Sequence, residues 1–226
     1  MKLFTDATKF LLATAVVCGL TSLTPTASAS ALLPGNCVGA GVAGCPGSLT
    51  IFNDSETLVA SQATNVSTAR YSGTVLSAVY MNAMGTLDFL YQYVNGRSSL
   101  DSIERVTPNS FGGWTTDVGY RTGALGAFGA GTVMPLNVDR TSDGAVVGFN
   151  FSGFDPATRI APGQRSDILE IRTTATNYAP GLVGVLDGAG STGAGYQPSS
   201  VPEPSSLALF GAGLIGLSAL RRKRKA

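Results

Sequence analysis

From Ser48 to Asp187 the chain alternates apolar and polar residues with a period of two, in short runs broken by Gly, Asn and Asp. A strand points successive side chains to opposite faces, whereas a helix buries one side with a period of 3.6, so this stretch is bound to pair as sheet. Thr86 to Asn95 alternates most clearly: Leu87, Phe89, Tyr91 and Tyr93 share one face, and Asp88 and Gln92 lie opposite. Ala69 to Met81 places Val75, Val79 and Met81 on one face and Leu76, Ala78 and Tyr80 on the other. Further runs cover Ser48–Phe52, Ser102–Thr107, Thr115–Thr122, Val133–Arg140, Ala145–Phe151, Asp167–Thr174 and Leu182–Asp187. Asn95-Gly96 and Asp143-Gly144 read as hairpin turns. Asp54 to Gln62 is ambiguous, a helix capped by Ser55 or a strand. Short strands at regular spacing predict an all-β domain, an antiparallel β-sandwich of jelly-roll type.

The N-terminus reads as a secretory signal peptide over residues 1–29. Lys2 and Lys9 supply the positive charge, Phe10 to Leu20 the apolar stretch, and Ala27-Ser28-Ala29 the cleavage site. Cys18 lies inside that stretch without a lipobox. The expected partners are the Sec translocon and signal peptidase, and Ser30 becomes the first mature residue.

Residues 201–226 combine three parts: Val201-Pro202-Glu203-Pro204, an apolar run from Ser205 to Leu220, and the basic stop Arg221-Arg222-Lys223-Arg224-Lys225. As a helix the run spans roughly 24 Å against a hydrocarbon core of about 30 Å. It is held if the basic residues snorkel, which leaves them cytoplasmic and puts Pro202-Glu203-Pro204 just outside the opposite face. Two prolines keep that segment extended and accessible to a membrane enzyme. Spacing alone fits an uncut tail anchor equally well.

Pro202-Glu203-Pro204, the apolar run and the arginine-rich end together resemble the PEP-CTERM sorting signal of exported proteins in exopolysaccharide-producing Gram-negative bacteria. The resemblance implies processing by an exosortase-like membrane enzyme, with release to the cell surface or exterior. The body, in Ala78-Val79-Tyr80, Gly85 to Gln92, Phe111-Gly112-Gly113 and Thr116 to Tyr120, is similar to bodies of exported PEP-CTERM proteins with no assigned activity.

All four lysines lie in the two terminal signals, and Ser30 to Pro204 keeps eight arginines against thirteen acids, a net charge of −5. A lysine-free, mildly acidic body argues against nucleic acid or anionic membrane as its partner. The chain has no histidine, which excludes Ser-His and Cys-His catalysis. Cys37 and Cys45 are the only mature cysteines; in an oxidising compartment they read as a disulfide, and two thiols without His make a poor metal site.

The remaining candidates each have a plain structural reading beside the functional one. Gly188 to Gly193 matches G-x-G-x-x-G, but the helix and acid that dinucleotide binding needs do not follow. Asn137, Asp139, Thr141 and Asp143 alternate oxygens as a calcium loop does, or form a hairpin turn. Asp143, Asp155 and Asp187 are the acids open to glycoside cleavage, yet each sits where a turn explains it. Trp114, Phe111, Tyr120, Tyr91 and Tyr93 form either a sugar-stacking row or core. Asn53, Asn65 and Asn150 head glycosylation sequons by pattern.

The expected organisation is a signal peptide (1–29), a β-sandwich domain (30–187), a Gly/Ser/Pro tether (188–200) and the sorting signal (201–226) with a C-terminal membrane helix in the precursor. No catalytic residue, metal or cofactor is expected. The expected role is a structural, biofilm-associated surface protein, with an exopolysaccharide-binding module as the alternative and a glycoside hydrolase behind it.

Overall fold

The computed structural model describes residues 31–39, 43–153 and 155–200. Among them twelve strands form two six-stranded sheets. In chain order these are β1 (Cys37–Val38), β2 (Thr50–Ile51), β3 (Thr57–Ser67), β4 (Ser72–Met81), β5 (Leu87–Asn95), β6 (Arg105–Pro108), β7 (Thr116–Arg121), β8 (Asn137–Arg140), β9 (Val147–Asn150), β10 (Ile168–Thr173), β11 (Asn177–Leu186) and β12 (Gly190–Ser199). One sheet is ordered β1-β8-β9-β6-β11-β12, the other β2-β7-β10-β5-β4-β3. Every ladder is antiparallel except the two-residue β2–β7 pair. The fold class is therefore the expected all-β sandwich. From β5 to β11 the chain changes sheet five times, the alternation of a jelly roll, while β3, β4 and β5 form a meander.

The core lies where the alternation puts it. Leu87, Phe89, Tyr91 and Tyr93 of β5 meet Val75 and Val79 of β4 and, from the facing sheet, Val106, Phe149, Val183 and Val185. Met81, placed with Val75 and Val79 by periodicity, is exposed at the end of β4. Of the ambiguous Asp54–Gln62 stretch, Thr57–Gln62 resolves as the start of β3, paired to β4, and Asp54–Glu56 leads into it. Isolated propensity is weak there, and the exposed main-chain edge of β4 decides the conformation.

Two expectations change. Asn95-Gly96 is not a tight hairpin: β5 ends there and the chain crosses to the other sheet as β6. The Asn95 amide instead ties two connections, donating to the carbonyls of Asp101 and Ile160 at 3.0 and 2.9 Å. The second change is larger. Residues 188–200, expected as a flexible tether, are mostly β12, paired with β11 from Leu186↔Gly190 to Asn177↔Ser199. Its glycines are not slack. A Cβ on Gly193 would lie 3.0 Å from Val66 of the other sheet, and one on Gly195 only 2.6 Å from Val183. Small residues let this strand close the sandwich at short range. β11 also begins five residues before the expected start. Pro180 disguised it, but β6 reaches only Val183, so that part of β11 faces no second neighbour.

Asp143-Gly144 forms the expected hairpin between β8 and β9, with Gly144 at φ 70°. Cys37 and Cys45 are disulfide-bonded. Closing a loop this short contributes about 2–3 kcal/mol in the chain-entropy view.

Candidate functional site

Much of the outer face of the β2–β3 sheet is covered. Its far half lies under the 123–133 connection: Leu125 and Phe128 pack on Ala78, Tyr80, Leu90 and Ile168. The Gln92 amide clamps that connection, donating to the Gly129 carbonyl at 2.7 Å and accepting from the Gly129 N–H at 3.1 Å. The other half lies under residues 52–56 and is charged.

The strand register builds the charged half. Arg172 of β10 sits directly between Asp88 of β5 and Asp117 of β7. Two residues back on the same face, Glu170 meets Arg121 of β7. Asp54 and Glu56 close over the top. Arg121 Nη2 donates to Glu56 Oε1 at 2.6 Å, Arg121 Nη1 to the Asp54 carbonyl at 2.8 Å, and Arg121 Nε to Glu170 Oε2. Arg172 Nε donates to Glu170 Oε1 at 2.7 Å and its Nη2 to Asp54 Oδ1. The Arg172 guanidinium also stacks 3.8 Å above the Phe52 ring. The side chains of Glu56, Asp88 and Glu170 are wholly buried. A cleft of about 620 Å³ opens beside them, lined in part by Phe52, Asp54, Asn82, Met84, Asp117 and Arg172.

Two arginines face five acids here, so charge is short on the positive side. Burial, then the charge of Glu170, pushes Glu56 up to about 8. The same two causes push Asp88 up to about 6, and burial raises Asp117 to about 6. For Asp54 burial works upward, but the hydrogen bond and charge of Arg172 outweigh it and the net shift is down. Burial opposes the Arg172 charge, and Glu170 and Asp54 more than offset it, holding that guanidinium above its ordinary value.

Oxygens of Glu56, Asp88 and Glu170 lie within 4.8 Å of one another, the spacing of a cation site. Their other contacts favour a proton. Both Glu170 oxygens accept from arginine, and both Asp88 oxygens accept from Asn82 Nδ2 at 3.1 and 3.2 Å. Only Glu56 Oε2 faces no donor. Protonated at neutral pH, it becomes a donor itself, towards Asp88.

An acid whose folded pKa lies above its unfolded value holds more protons when folded, so stability falls as pH rises between the two values. That window runs from the ordinary 4.5 to about 8 for Glu56, and from 3.8 to about 6 for Asp88 and Asp117. The domain is therefore expected to melt at a lower temperature at pH 8.5 than at pH 6. One pKa unit is worth about 1.4 kcal/mol, roughly 3–6 °C in a domain of this size. Glu56→Gln is expected to flatten that part of the profile. A wild-type melting temperature unchanged from pH 6 to 8.5 would refute the shared-proton arrangement.

The sites expected from sequence fall out differently. Phe111, Tyr91 and Tyr93 are buried completely and Tyr120 nearly so, which removes the sugar-stacking row. Half-buried Trp114 packs on the same core. The calcium-loop oxygens are engaged: Asn137 Oδ1 accepts from Asn150 Nδ2, Asp139 binds Arg105, and Asp143 Oδ1 accepts from the Ala145 N–H and the Thr141 hydroxyl. Asp155 caps the short 3-10 turn Pro156–Thr158, and Asp187 accepts from the Ala189 N–H in the β11–β12 turn. That turn also absorbs G-x-G-x-x-G. Asn53 and Asn65 are exposed, and Asn150 lies partly buried beside Arg105. Ala27, Ala29, Pro202, Glu203, Pro204 and Arg221 to Lys225 lie outside the described residues.

One further residue went unread in the sequence. Arg140, buried and paired with no carboxylate among the described residues, donates to four main-chain carbonyls: Gly144, Leu32, Phe111 and Trp114, at 3.0, 2.9, 2.7 and 2.9 Å. It ties together three connections at one end of the sandwich. Ser199 closes β12 at that same end, across a cleft from Gly112, Gly113 and Trp114. The body thus runs as paired strand up to the residue before the C-terminal signal.

Residues 200–225 match the PEP-CTERM protein-sorting motif. The match supports export, membrane-associated sorting and processing by exosortase, a membrane enzyme, with delivery to the cell surface. No match to the chain was found among curated proteins or among solved structures. The sorting motif therefore speaks for the C-terminus and is silent on the sandwich.

Proposed function

We propose that the chain is an exported structural protein of the cell surface or extracellular matrix, one component of a biofilm rich in exopolysaccharide. The Sec translocon and signal peptidase deliver it. Its C-terminal run holds it briefly in the inner membrane, and an exosortase-like enzyme cuts at or near Pro202-Glu203-Pro204. The observation that carries this reading is the sorting motif at residues 200–225.

A non-catalytic role for the body is supported by where its chemistry goes. The acids that meet in the charged half are spent on Arg121, Arg172 and one another, and the large aromatics fill the core.

Intact mass of the protein recovered outside the cell tests the whole route. The expected species begins at Ser30, lacks Arg221 to Lys225, and is two hydrogens lighter than its reduced form. Recovery with the arginine-rich end attached would defeat the proposal.

A further inference from the structure

The two ends of the sandwich differ sharply in charge. Where β12 leaves the body, the connections 31–36, 82–86, 109–115, 141–146 and 174–176 carry one charged side chain, Asp143. At the opposite end the connections 68–71, 96–104, 122–136, 151–167 and 187–189 carry nine, including the Arg70–Asp101 and Arg159–Glu104 pairs. Both ends expose apolar side chains, Leu100 and Met134 at the charged end among them, but only at the uncharged end do they stand almost free of charge. Met84 is 84% exposed and Leu33 59%, with half-buried Trp114 and the exposed edge of Tyr178 beside the exit of β12. The nearest charges on the flank, Asp54 and Arg172, are bound to each other.

We propose that this end of the sandwich rests on the lipid surface while the C-terminal run holds the chain in the membrane. The proposal rests on the sorting reading above and adds to it an orientation and a contact. Chain length forces the proximity. β12 ends at Ser199 and the apolar run begins at Ser205. Six peptide units reach at most about 20 Å, and the headgroup layer on one side takes up roughly 5–8 Å of that. That leaves about 12–15 Å, so the body stays close to the bilayer and cannot turn its other end towards it. The surface held there has the chemistry of an interface: apolar side chains, a Trp and a Tyr with polar edges, and almost no charge to desolvate. Arg140 keeps the three connections rigid from behind, so the contact is preformed.

The chain has one tryptophan, Trp114, which serves as the probe. The full-length chain is reconstituted into phosphatidylcholine vesicles with and without brominated acyl chains, and flotation confirms insertion. At headgroup depth Trp114 emission is expected to move to shorter wavelength and to fall by about half or more with bromolipid. Leu33→Asp with Met84→Asp, both at exposed positions, should restore most of the emission at an unchanged melting temperature. A chain that floats with the vesicles but keeps unquenched Trp114 overturns the contact and leaves the sorting reading intact. A chain that does not float defeats both. Shielding that grows with protein density and not with bromolipid would mean a second copy covers this end, and would likewise overturn the proposal.

Discussion

Replacing Pro202, Glu203 and Pro204 together by alanine is expected to leave the C-terminus uncut and the chain in the membrane fraction. Three features of the motif are lost at once: two fixed φ angles, the extended backbone each proline imposes on the residue before it, and the only charge between the sandwich and the basic stop. Losing about 1.4 kcal/mol of recognition already lowers processing tenfold, so the cut form should fall at least that far. The sandwich itself should be untouched, because β12 ends at Ser199. Mass of the cell-associated and released pools reads the result. Unaltered release of a protein lacking Arg221 to Lys225 would show that the prolines and Glu203 do not direct the cut.

Arg121→Ala is expected to be the most damaging single change in the charged half. Arg121 holds Glu56, Glu170 and the Asp54 carbonyl together, and its removal strips wholly buried Glu170 of one of its two arginines. Breaking a buried ion pair from one side costs about 3–5 kcal/mol, because the remaining charge stays buried without its partner. In a domain of this size that lowers the melting temperature by roughly 10 °C. Relative to pH 8, the loss should shrink at pH 5, where protonated Glu56 needs no cation. It should also shrink when Glu56→Gln is added, since the two positions share one network. Equal losses for Arg121→Ala at pH 5 and pH 8, with no coupling to Glu56, would show that packing and not charge holds the segment 52–56 in place.

Much of the sandwich was legible before any coordinates. Leu87, Phe89, Tyr91 and Tyr93 face the core as their spacing dictates, and Asp143-Gly144 turns where a glycine at positive φ permits it. The disulfide followed from compartment and cysteine count. The charged half was not legible, although its signal was present: Glu170 and Arg172 lie two apart on β10, and Asp117 and Arg121 four apart on β7, so each pair shares a face. Period two says only that a residue faces away from the core. It does not say whether another segment covers that face, and residues 52–56 do. The Gly/Ser-rich stretch before the sorting motif failed for a related reason. Composition measures how freely a chain moves when alone, and β12 is not alone.

Taken by itself, the order of residues determined where the chain is sent and that its body is sheet. Those properties depend on local pattern: an apolar run of a given length, charges at one end of it, prolines beside it, and an alternation that no helix can bury. The tertiary structure alone decided which acids meet in the charged half, that β12 runs as far as the sorting motif, and that the end where β12 leaves the body carries almost no charge. These depend on which strands become neighbours and in what register, and residues as far apart as Glu56 and Glu170 meet only when that one sheet has assembled and residues 52–56 lie across it.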